Sequence, residues 1–267
     1  MILTKREILA LRLQAAVDWV VFPFIGPATV FWLRWMRGYR MVGLADARRT
    51  FRRAVAMRRP MVICANHLTM IDSLLIHHAL CSVVTMFVHF RLFSWNVPAI
   101  ENFKKSWLLR LYTFLGKTIP IDRAGSAEHH RNVLEKLKFL VSRGQLCTLF
   151  PEGGRSRTGT IQTDQLTYGV GQILTDYAQP LVVCVYVRGS SQKTYSYFPA
   201  RGDRIYVEAQ VLEPTSQAKG LRAARDLSRQ VIARLKEMED GCLARNPLLA
   251  RPEPCSYNGD VADLGQM

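Results

Sequence analysis

The chain has 267 residues, of which 49% are hydrophobic, so it is long and apolar enough to bury one sizeable core. Its 36 basic and 21 acidic residues give a formal charge of +15, which favours a polyanionic partner such as a phospholipid surface or a phosphorylated substrate. The six cysteines form no CxxC pair and no Cys/His spacing typical of metal sites, so we expect no bound metal and buried thiols in a reducing compartment.

The chain starts with basic residues and an apolar stretch, Val17 to Met36, without a clear signal-peptide cleavage site. Pro23, Gly26 and Pro27 interrupt this stretch, so its uninterrupted part is shorter than the ~20 residues that a straight spanning helix needs. We therefore predict that residues 1–38 form a membrane-associating hairpin of two short helices that enters one leaflet. A helical hairpin packed on a soluble domain and a single kinked spanning helix are the alternatives.

Strand and helix patterns alternate along residues 39–241, which we assign to one domain. Strands are predicted at Tyr39–Leu44, Met61–Ala65, Val83–Phe90, Lys117–Ile121, Leu146–Phe150, Leu181–Val187 and Ile205–Val211, and helices at Arg48–Met57, Leu68–Cys81, Trp107–Leu115, His129–Ser142, Gly169–Tyr177 and Leu221–Met238. The alternation of strands and helices, together with strands that are apolar throughout, indicates an α/β fold with a mostly parallel central sheet flanked by helices. Periodicity ends near Cys242, so residues 242–267 are expected to form a C-terminal tail of the composition found in disordered segments.

A histidine and an aspartate follow the predicted strand Met61–Ala65. His67 comes two residues after that strand, and Asp72 comes five residues after His67. A carboxylate beside an imidazole holds one tautomer and leaves the other ring nitrogen free to take a proton from an alcohol. The pattern therefore predicts His67 as a general base oriented by Asp72, with oxyanion donors among the backbone N–H groups of the turn after His67. The alternative is a structural histidine beside an aspartate that caps the helix.

A second motif, Phe-Pro-Glu-Gly-Gly-Arg-Ser-Arg, occupies residues 150–157 and begins where the next buried strand ends. Ligands bind at the carboxyl ends of parallel strands, so both motifs are expected at one edge of the sheet. Gly153 and Gly154 allow close backbone approach, whereas a phosphate would repel Glu152, which we assign to a guanidinium or an acceptor hydroxyl. Guanidinium groups bind phosphate oxygens in bidentate geometry, and the candidates are Arg123, Arg155 and Arg157. The alternative for each of them is a solvent-exposed side chain without a ligand.

A base and a phosphate clamp together favour acyl transfer onto a glycerophosphate-like alcohol, and the order of four sequence blocks agrees with this interpretation. The blocks are His67-x4-Asp72 after Asn66, Gly116 to Ile121-Asp122-Arg123, the motif at 150–157, and the apolar strand Pro180–Val187. This order resembles that of the PlsC-like glycerolipid acyltransferases, among which the 1-acylglycerol-3-phosphate acyltransferases are the most similar branch. The resemblance covers about residues 39–212, and its first and third blocks together are specific.

The resemblance implies an acyltransferase domain over residues 39–241 that needs no cofactor. Its co-substrate would be acyl-CoA or an acyl carrier protein, and its acceptor the free hydroxyl of a lysophospholipid such as 1-acylglycerol 3-phosphate. The family's pattern makes His67 and Asp72 catalytic. It also implies association with a phospholipid membrane, which we expect at the cytoplasmic face of the (inner) membrane. The residues expected to bind the acceptor are Arg123, Glu152, Gly153 and Arg155.

Departures from the family's pattern concern the acceptor. Gly154 stands where the family usually has Thr, Cys184 where it usually has Pro, and no Lys precedes Gly169. The acceptor could therefore be glycerol 3-phosphate or a lyso-ornithine lipid. A catalytically inactive membrane-binding scaffold is the alternative from another class, and the intact His67 and Asp72 argue against it. We expect no nucleic-acid partner, because the basic residues are spread along the chain and the aromatic residues lie in apolar runs.

Overall fold

A six-stranded sheet lies at the centre of the protein, for which a computed structural model describes residues 3–104, 106–164 and 166–249. The strands are β1 (Arg40–Val42), β2 (Met61–Ala65), β3 (Trp95–Asn96), β4 (Cys147–Leu149), β5 (Leu181–Gly189) and β6 (Arg204–Leu212). Their order across the sheet is β1-β6-β5-β2-β4-β3, and among these strands β5 and β6 pair antiparallel while the other neighbours are parallel. The predicted α/β fold with a mostly parallel sheet is confirmed.

Helices cover both faces of this sheet. They are α1 (Lys5–Phe31), which continues as a π-helix (Trp32–Met36), α2 (Leu44–Ala56), α3 (Asp72–Leu80), α4 (Val83–Val88), α5 (Trp107–Phe114), α6 (Ala127–Ser142), α7 (Gly169–Leu174) and α8 (Leu221–Arg245). Strand side chains alternate between the faces, so Val62 and Cys64 pack with α6, α7 and α8, whereas Ile63 and Ala65 pack with α2, α3 and α4. The domain therefore has two apolar layers, one on each side of the sheet.

Several predicted elements differ from the observed ones. The segment predicted as a strand at Val83–Phe90 is α4 followed by a short 3-10 helix, because Ser82 accepts the Thr85 N–H and caps a helix there. Lys117–Ile121 makes only isolated bridges, and the unpredicted β3 takes the edge position beside β4. A short apolar run alone does not distinguish a buried helix from a strand.

Helix boundaries also shift from their predicted positions. Helix α3 begins at Asp72, where the apolar pattern placed its start at Leu68. Helix α8 continues to Arg245, past the point at which the predicted tail begins, and residues 250–267 of that tail lie outside the described residues.

The N-terminal segment is one continuous helix of 27 residues, so the prediction of two short helices was wrong. Pro23 and Pro27 lie inside α1, where each removes a backbone donor without ending the helix. Contacts with the domain compensate for the lost hydrogen bonds. They are made by buried residues that recur every three or four positions along one side of α1, which we call the buried stripe. The stripe consists of Leu11, Gln14, Asp18, Phe22 and Gly26.

Buried polar contacts fix α1 along the domain. The Gln14 amide donates to the carbonyls of Phe114, at 2.9 Å, and Thr118, at 3.1 Å. Asp18 accepts the backbone N–H of Lys117 at 3.2 Å. The segment Lys5–Met36 is long and apolar enough to cross a membrane. In its most apolar stretch of 18 residues, 22% is buried against the domain and the rest is accessible. Helix α1 therefore lies on the domain surface with most of its circumference exposed.

Candidate active site

His67 and Asp72 are in hydrogen-bond contact at the start of α3. The Nδ1 atom of His67 lies 2.9 Å from Oδ2 of Asp72, whose side chain is 2% exposed. The same oxygen accepts the backbone N–H groups of Leu68, at 2.6 Å, and Thr69, at 2.8 Å, and the Thr69 hydroxyl donates to Oδ1. Because an ionised carboxylate only accepts hydrogen bonds, Nδ1 carries a proton, and the neutral imidazole then has an unprotonated Nε2.

The strand order brings the two sequence motifs together, because β2 lies between β5 and β4. The Asn66 side chain exchanges hydrogen bonds of 2.8 and 2.9 Å with the backbone of Val187 in β5. On the β4 side, the backbone N–H of His67 donates to Oε1 of Glu152 at 3.0 Å. The carbonyl of His67 accepts the N–H of Ser156 at 2.8 Å. Both backbone polar groups of His67 are therefore bound by the turn that follows β4.

Phe150 fixes the plane of the His67 ring. The two rings stack with centroids 4.1 Å apart and planes 18° apart. Packing on Phe150 and the hydrogen bond to Asp72 together restrict the imidazole to one orientation. Phe150 was predicted only as the last residue of a strand and the first residue of the second motif, so its contact with His67 was not predicted.

Glu152 makes a different contact from the one assigned to it on sequence grounds. Its partner is the backbone N–H of His67, where a guanidinium or an acceptor hydroxyl was expected. Burial raises the pKa of Glu152 to about 7, and the hydrogen bond from His67 acts in the opposite direction. Among the described residues, the cavity wall includes Gly153 and Arg155 but not Glu152. The carboxyl group of Glu152 therefore holds the His67 turn within the protein.

The backbone N–H groups predicted as oxyanion donors are already bound. Those of Leu68 and Thr69 donate to Asp72, and that of Met70 donates to the carbonyl of Tyr197 at 3.2 Å. The prediction failed because the carboxylate that orients the imidazole also takes the donors of the turn after it.

Arg155 lines the cavity and has one side-chain donor without a partner among the described residues. Its Nη1 atom is buried and has no hydrogen-bond partner among the described residues. The guanidinium carbon lies 5.5 Å from the ring centroids of both Tyr195 and Tyr197, in the loop after β5. A buried N–H donor without an acceptor is costly, and a shift of this half-buried side chain towards an anionic ligand would remove that cost. The two tyrosines were not predicted, because their positions in the sequence do not reveal which arginine they contact.

The remaining candidates for acceptor binding separate into two groups. Arg123 lines the cavity, and its Nη2 atom lies 3.9 Å from the position that a Cβ on Gly154 would take. Gly153 has a φ of +69°, and a Cβ there would lie 2.5 Å from Thr167, so glycine is required. Arg157 is exposed and is not part of the cavity wall described. The structure therefore brings Arg123 and Arg155 to the cavity and leaves Arg157 outside it.

The cavity has a volume of ≈1510 Å³ and runs along the carboxyl ends of β2, β3 and β4. This exceeds the range of roughly 300–1,000 Å³ typical of small-molecule pockets. His67 lies on its wall together with apolar side chains from α1 and α5 on one side and from α6 and α7 on the other. A polar centre between two apolar regions fits an amphiphilic substrate with a long chain.

We expect Glu152→Gln to change the pH dependence of stability. The amide keeps an oxygen acceptor for the His67 N–H and removes the ionisable group. The pKa of Glu152 is raised from 4.5 to about 7, so its contribution to stability is complete below pH 4.5 and is lost as pH rises through about 7. The variant should therefore gain stability relative to the parent chain between pH 4.5 and pH 8, by at most about 3 kcal/mol. Chemical unfolding of both proteins at the two pH values measures this difference. If the variant and the parent chain differ in stability by the same amount at pH 4.5 and at pH 8, the raised pKa of Glu152 is wrong.

Comparison with known proteins agrees with this geometry. The family model described as Acyltransferase matches residues 46–188, more than half of the chain. The chain is also 28% identical over 177 residues to a protein of Dictyostelium discoideum named Taffazin, and the match covers 63% of this chain and 59% of that protein. The chain thus spans about three-fifths of the length of this relative. The matched range includes the His67 and Glu152 motifs and the buried strands that position them. The chain therefore belongs to the Acyltransferase family, the PlsC-type family that its motif order indicated.

Proposed function

We propose that this protein transfers a fatty acyl chain from a thioester donor, acyl-CoA or an acyl carrier protein, to the free hydroxyl of a lysophospholipid such as 1-acylglycerol 3-phosphate. The observation that carries the proposal is the hydrogen bond between His67 and the buried Asp72, on the wall of a cavity of ≈1510 Å³. Membership of the Acyltransferase family supports the reaction type.

In the proposed reaction His67 is the general base. Its Nε2 atom takes the proton of the acceptor hydroxyl as that oxygen attacks the thioester carbonyl. Asp72 stabilises the imidazolium that forms, because its Oδ2 atom lies 2.9 Å from Nδ1. The carbon–sulfur bond then breaks, and the leaving thiolate receives a proton from the imidazolium. No covalent acyl-enzyme is needed, because the hydroxyl attacks the donor directly.

Arg155 and Arg123 bind the phosphate of the acceptor in this proposal. Arg155 lines the cavity, and its guanidinium can form a charge-assisted hydrogen bond to a phosphate oxygen. Arg123 approaches the same turn from the loop before α6, beside Gly154. Two guanidinium groups, one from the turn after β4 and one from the loop before α6, can neutralise one phosphate and direct the neighbouring hydroxyl towards His67.

The apolar part of the cavity holds acyl chains. Side chains of α1 and α6, among them Ile25, Ala28, Val133 and Leu137, line it. Burial of each methylene contributes about 0.8 kcal/mol, so a long chain gains on the order of 10 kcal/mol. This gain applies to a chain that arrives from water, such as that of acyl-CoA, whereas a lipid that enters from a leaflet gains its binding free energy mainly from head-group contacts.

The exposed faces of α1, α4 and α5 form what we call the apolar platform, and we propose that it lies in the membrane interface. Tyr112 of α5 lies 3.3 Å from the Thr29 hydroxyl of α1, and Trp19 of α1 stacks on Phe87 of α4. Its exposed residues are Leu9, Leu13, Val17, Trp19, Val20, Phe24 and Phe31 of α1, Trp35 and Met36 of the π-helix that continues α1, Val84 and Val88 of α4, and Trp107, Leu108, Leu109, Leu111, Tyr112 and Phe114 of α5.

The structure of the platform favours a helix that lies in one leaflet over one that spans the membrane. Helix α1 is held along its length by Gln14 and Asp18, so spanning would require the loss of these buried contacts. Thr29 and Tyr112 also line the cavity, so a lipid could enter it directly from the leaflet. The net charge of +15 suits anionic phospholipids, and the five described cysteines are free and buried, in keeping with the cytoplasmic face of a membrane.

Acceptor-dependent thiol release tests the proposed reaction. Purified protein in vesicles should release thiol from long-chain acyl-CoA or acyl carrier protein when lysophosphatidic acid is present. His67→Ala should lower this rate at least about 100-fold, because it removes the base. Glycerol 3-phosphate and lyso-ornithine lipid serve as alternative acceptors in the same assay. Release without any acceptor would indicate a thioesterase, and failure with every donor and acceptor would favour the inactive scaffold.

Two arginines of the same motif provide a matched test of phosphate binding. Arg155→Ala should raise the KM for the acceptor roughly 10- to 100-fold, because a charge-assisted hydrogen bond to phosphate is lost. Arg157→Ala removes the same side chain from an exposed position outside the cavity wall and should change KM by less than about twofold. Steady-state kinetics with lysophosphatidic acid measure both. Equal effects of the two substitutions would refute the assignment.

Charged substitutions on the platform test its contact with lipid. Phe24 is 77% exposed on α1 and Trp107 is 70% exposed on α5, so replacing both with Asp should leave the fold intact. We expect vesicle binding to fall about tenfold or more, because two apolar contacts with lipid are lost. Met57→Asp, at the far end of α2, is the control and should bind normally. Co-flotation with anionic vesicles measures the bound fraction, and unchanged flotation of the double variant would exclude the platform as the membrane contact.

A further inference from the structure

The loop that carries Arg123 is bound to α6 by two histidine side chains. Nε2 of His129 lies 3.0 Å from the backbone nitrogen of Asp122, and Nε2 of His130 lies 2.8 Å from the backbone oxygen of the same residue. Both polar backbone groups of Asp122, the residue directly before Arg123, are therefore in contact with an imidazole.

The two imidazoles must act in opposite ways. A backbone N–H only donates, so Nε2 of His129 accepts, and His129 is neutral with its proton on Nδ1. A carbonyl only accepts, so Nε2 of His130 carries a proton and donates. The rings also meet edge to face, with centroids 5.8 Å apart. The pair therefore binds both backbone polar groups of one residue, with one ring as the acceptor and the other as the donor.

Little else determines the conformation of this loop. Arg123, Ala124 and Ser126 are exposed, so apolar packing does not hold them. The contacts within the loop are local: the Asp122 side chain accepts the N–H of Ala124 at 3.0 Å, and the Asp122 carbonyl accepts that of Gly125 at 3.1 Å. A Cβ on Gly125 would lie 2.9 Å from Cδ2 of His129, which shows how closely the loop is folded around that ring.

We infer that His129 and His130 are positioning residues that set the affinity for the acceptor phosphate by holding the Arg123 loop on α6. The inference rests on the proposed role of Arg123 in binding phosphate. Arg123 has a long, flexible side chain, and a fixed backbone reduces the conformational entropy lost when its guanidinium binds an anion. His130 also lines the cavity, so the histidine pair connects the cavity wall to the arginine that binds within it.

His129→Phe and His129→Gln separate this role from simple packing. Phe keeps a ring but offers no acceptor to the Asp122 N–H, whereas the Gln side-chain oxygen can accept it. His129→Phe should raise the KM for lysophosphatidic acid roughly 3- to 10-fold with little change in kcat, because one hydrogen bond that orders the loop is lost. His129→Gln should restore KM to within about twofold of the parent value. Trypsin cleavage after Arg123, followed by mass spectrometry, should be faster in the Phe variant than in the Gln variant.

The same measurements on an Arg123→Ala background show which proposal fails. If His129 acts through Arg123, His129→Phe should raise KM no further once Arg123 is removed. An unchanged KM in His129→Phe, where Arg123→Ala alone raises it, would overturn this inference and leave the proposed function in place. If Arg123→Ala itself leaves KM unchanged, Arg123 does not bind the acceptor, and the proposed phosphate site and this inference are both wrong.

Discussion

The side-chain oxygens of Asp72 organise the site, and the rest of its geometry depends on them. One oxygen accepts the imidazole N–H of His67 and two backbone N–H groups, and the other accepts the Thr69 hydroxyl. These bonds close the turn between β2 and α3 and select one tautomer of the ring. With the turn closed, both backbone polar groups of His67 face the turn after β4, where Glu152 and Ser156 bind them. His67 and the arginine-bearing turn are thereby joined into one rigid unit.

Helix α1 belongs to two surfaces, the interface with the domain and the apolar platform. One side packs on the domain through the buried stripe, while the other belongs to the apolar platform. Between them, Ile25, Ala28 and Thr29 line the cavity that reaches His67. In the proposed function, a lipid whose chain lies in a leaflet and whose phosphate lies in water would meet a similar arrangement in the protein, with apolar residues near the platform and arginines on the cavity wall that includes His67. The orientation of the lipid in the membrane would therefore match its orientation in the site.

Much of the site could be predicted from the sequence because the carboxyl ends of β2 and β4 determine where its residues lie. Met61–Ala65 is a continuous apolar run and forms the strand it predicts, so the placement of His67 at the carboxyl edge followed from general rules on parallel sheets. The second motif follows β4 for the same reason. The hydrogen bond between Asp72 and His67 could be expected from their spacing alone, since the two residues are five positions apart.

The partners that could not be predicted lie far apart in the sequence. Glu152 binds a backbone group 85 residues away, and that contact depends on β2 and β4 being neighbours. Tyr195 and Tyr197 reach Arg155 through a loop whose course no periodic pattern describes. Helix α1 continues through Pro23 and Pro27 because its buried stripe packs on the domain, and local rules on proline do not include such packing.

The protonation state of His67 tests the central claim most directly. Nitrogen-15 NMR of histidine-labelled protein in detergent at the pH of the assay reports which ring nitrogen carries the proton, and the His67→Ala spectrum identifies the signal. We expect a neutral ring with the proton on Nδ1, facing Asp72, and an unprotonated Nε2. A proton on Nε2 at that pH, in either the other tautomer or the imidazolium, would contradict the assignment of His67 as the base.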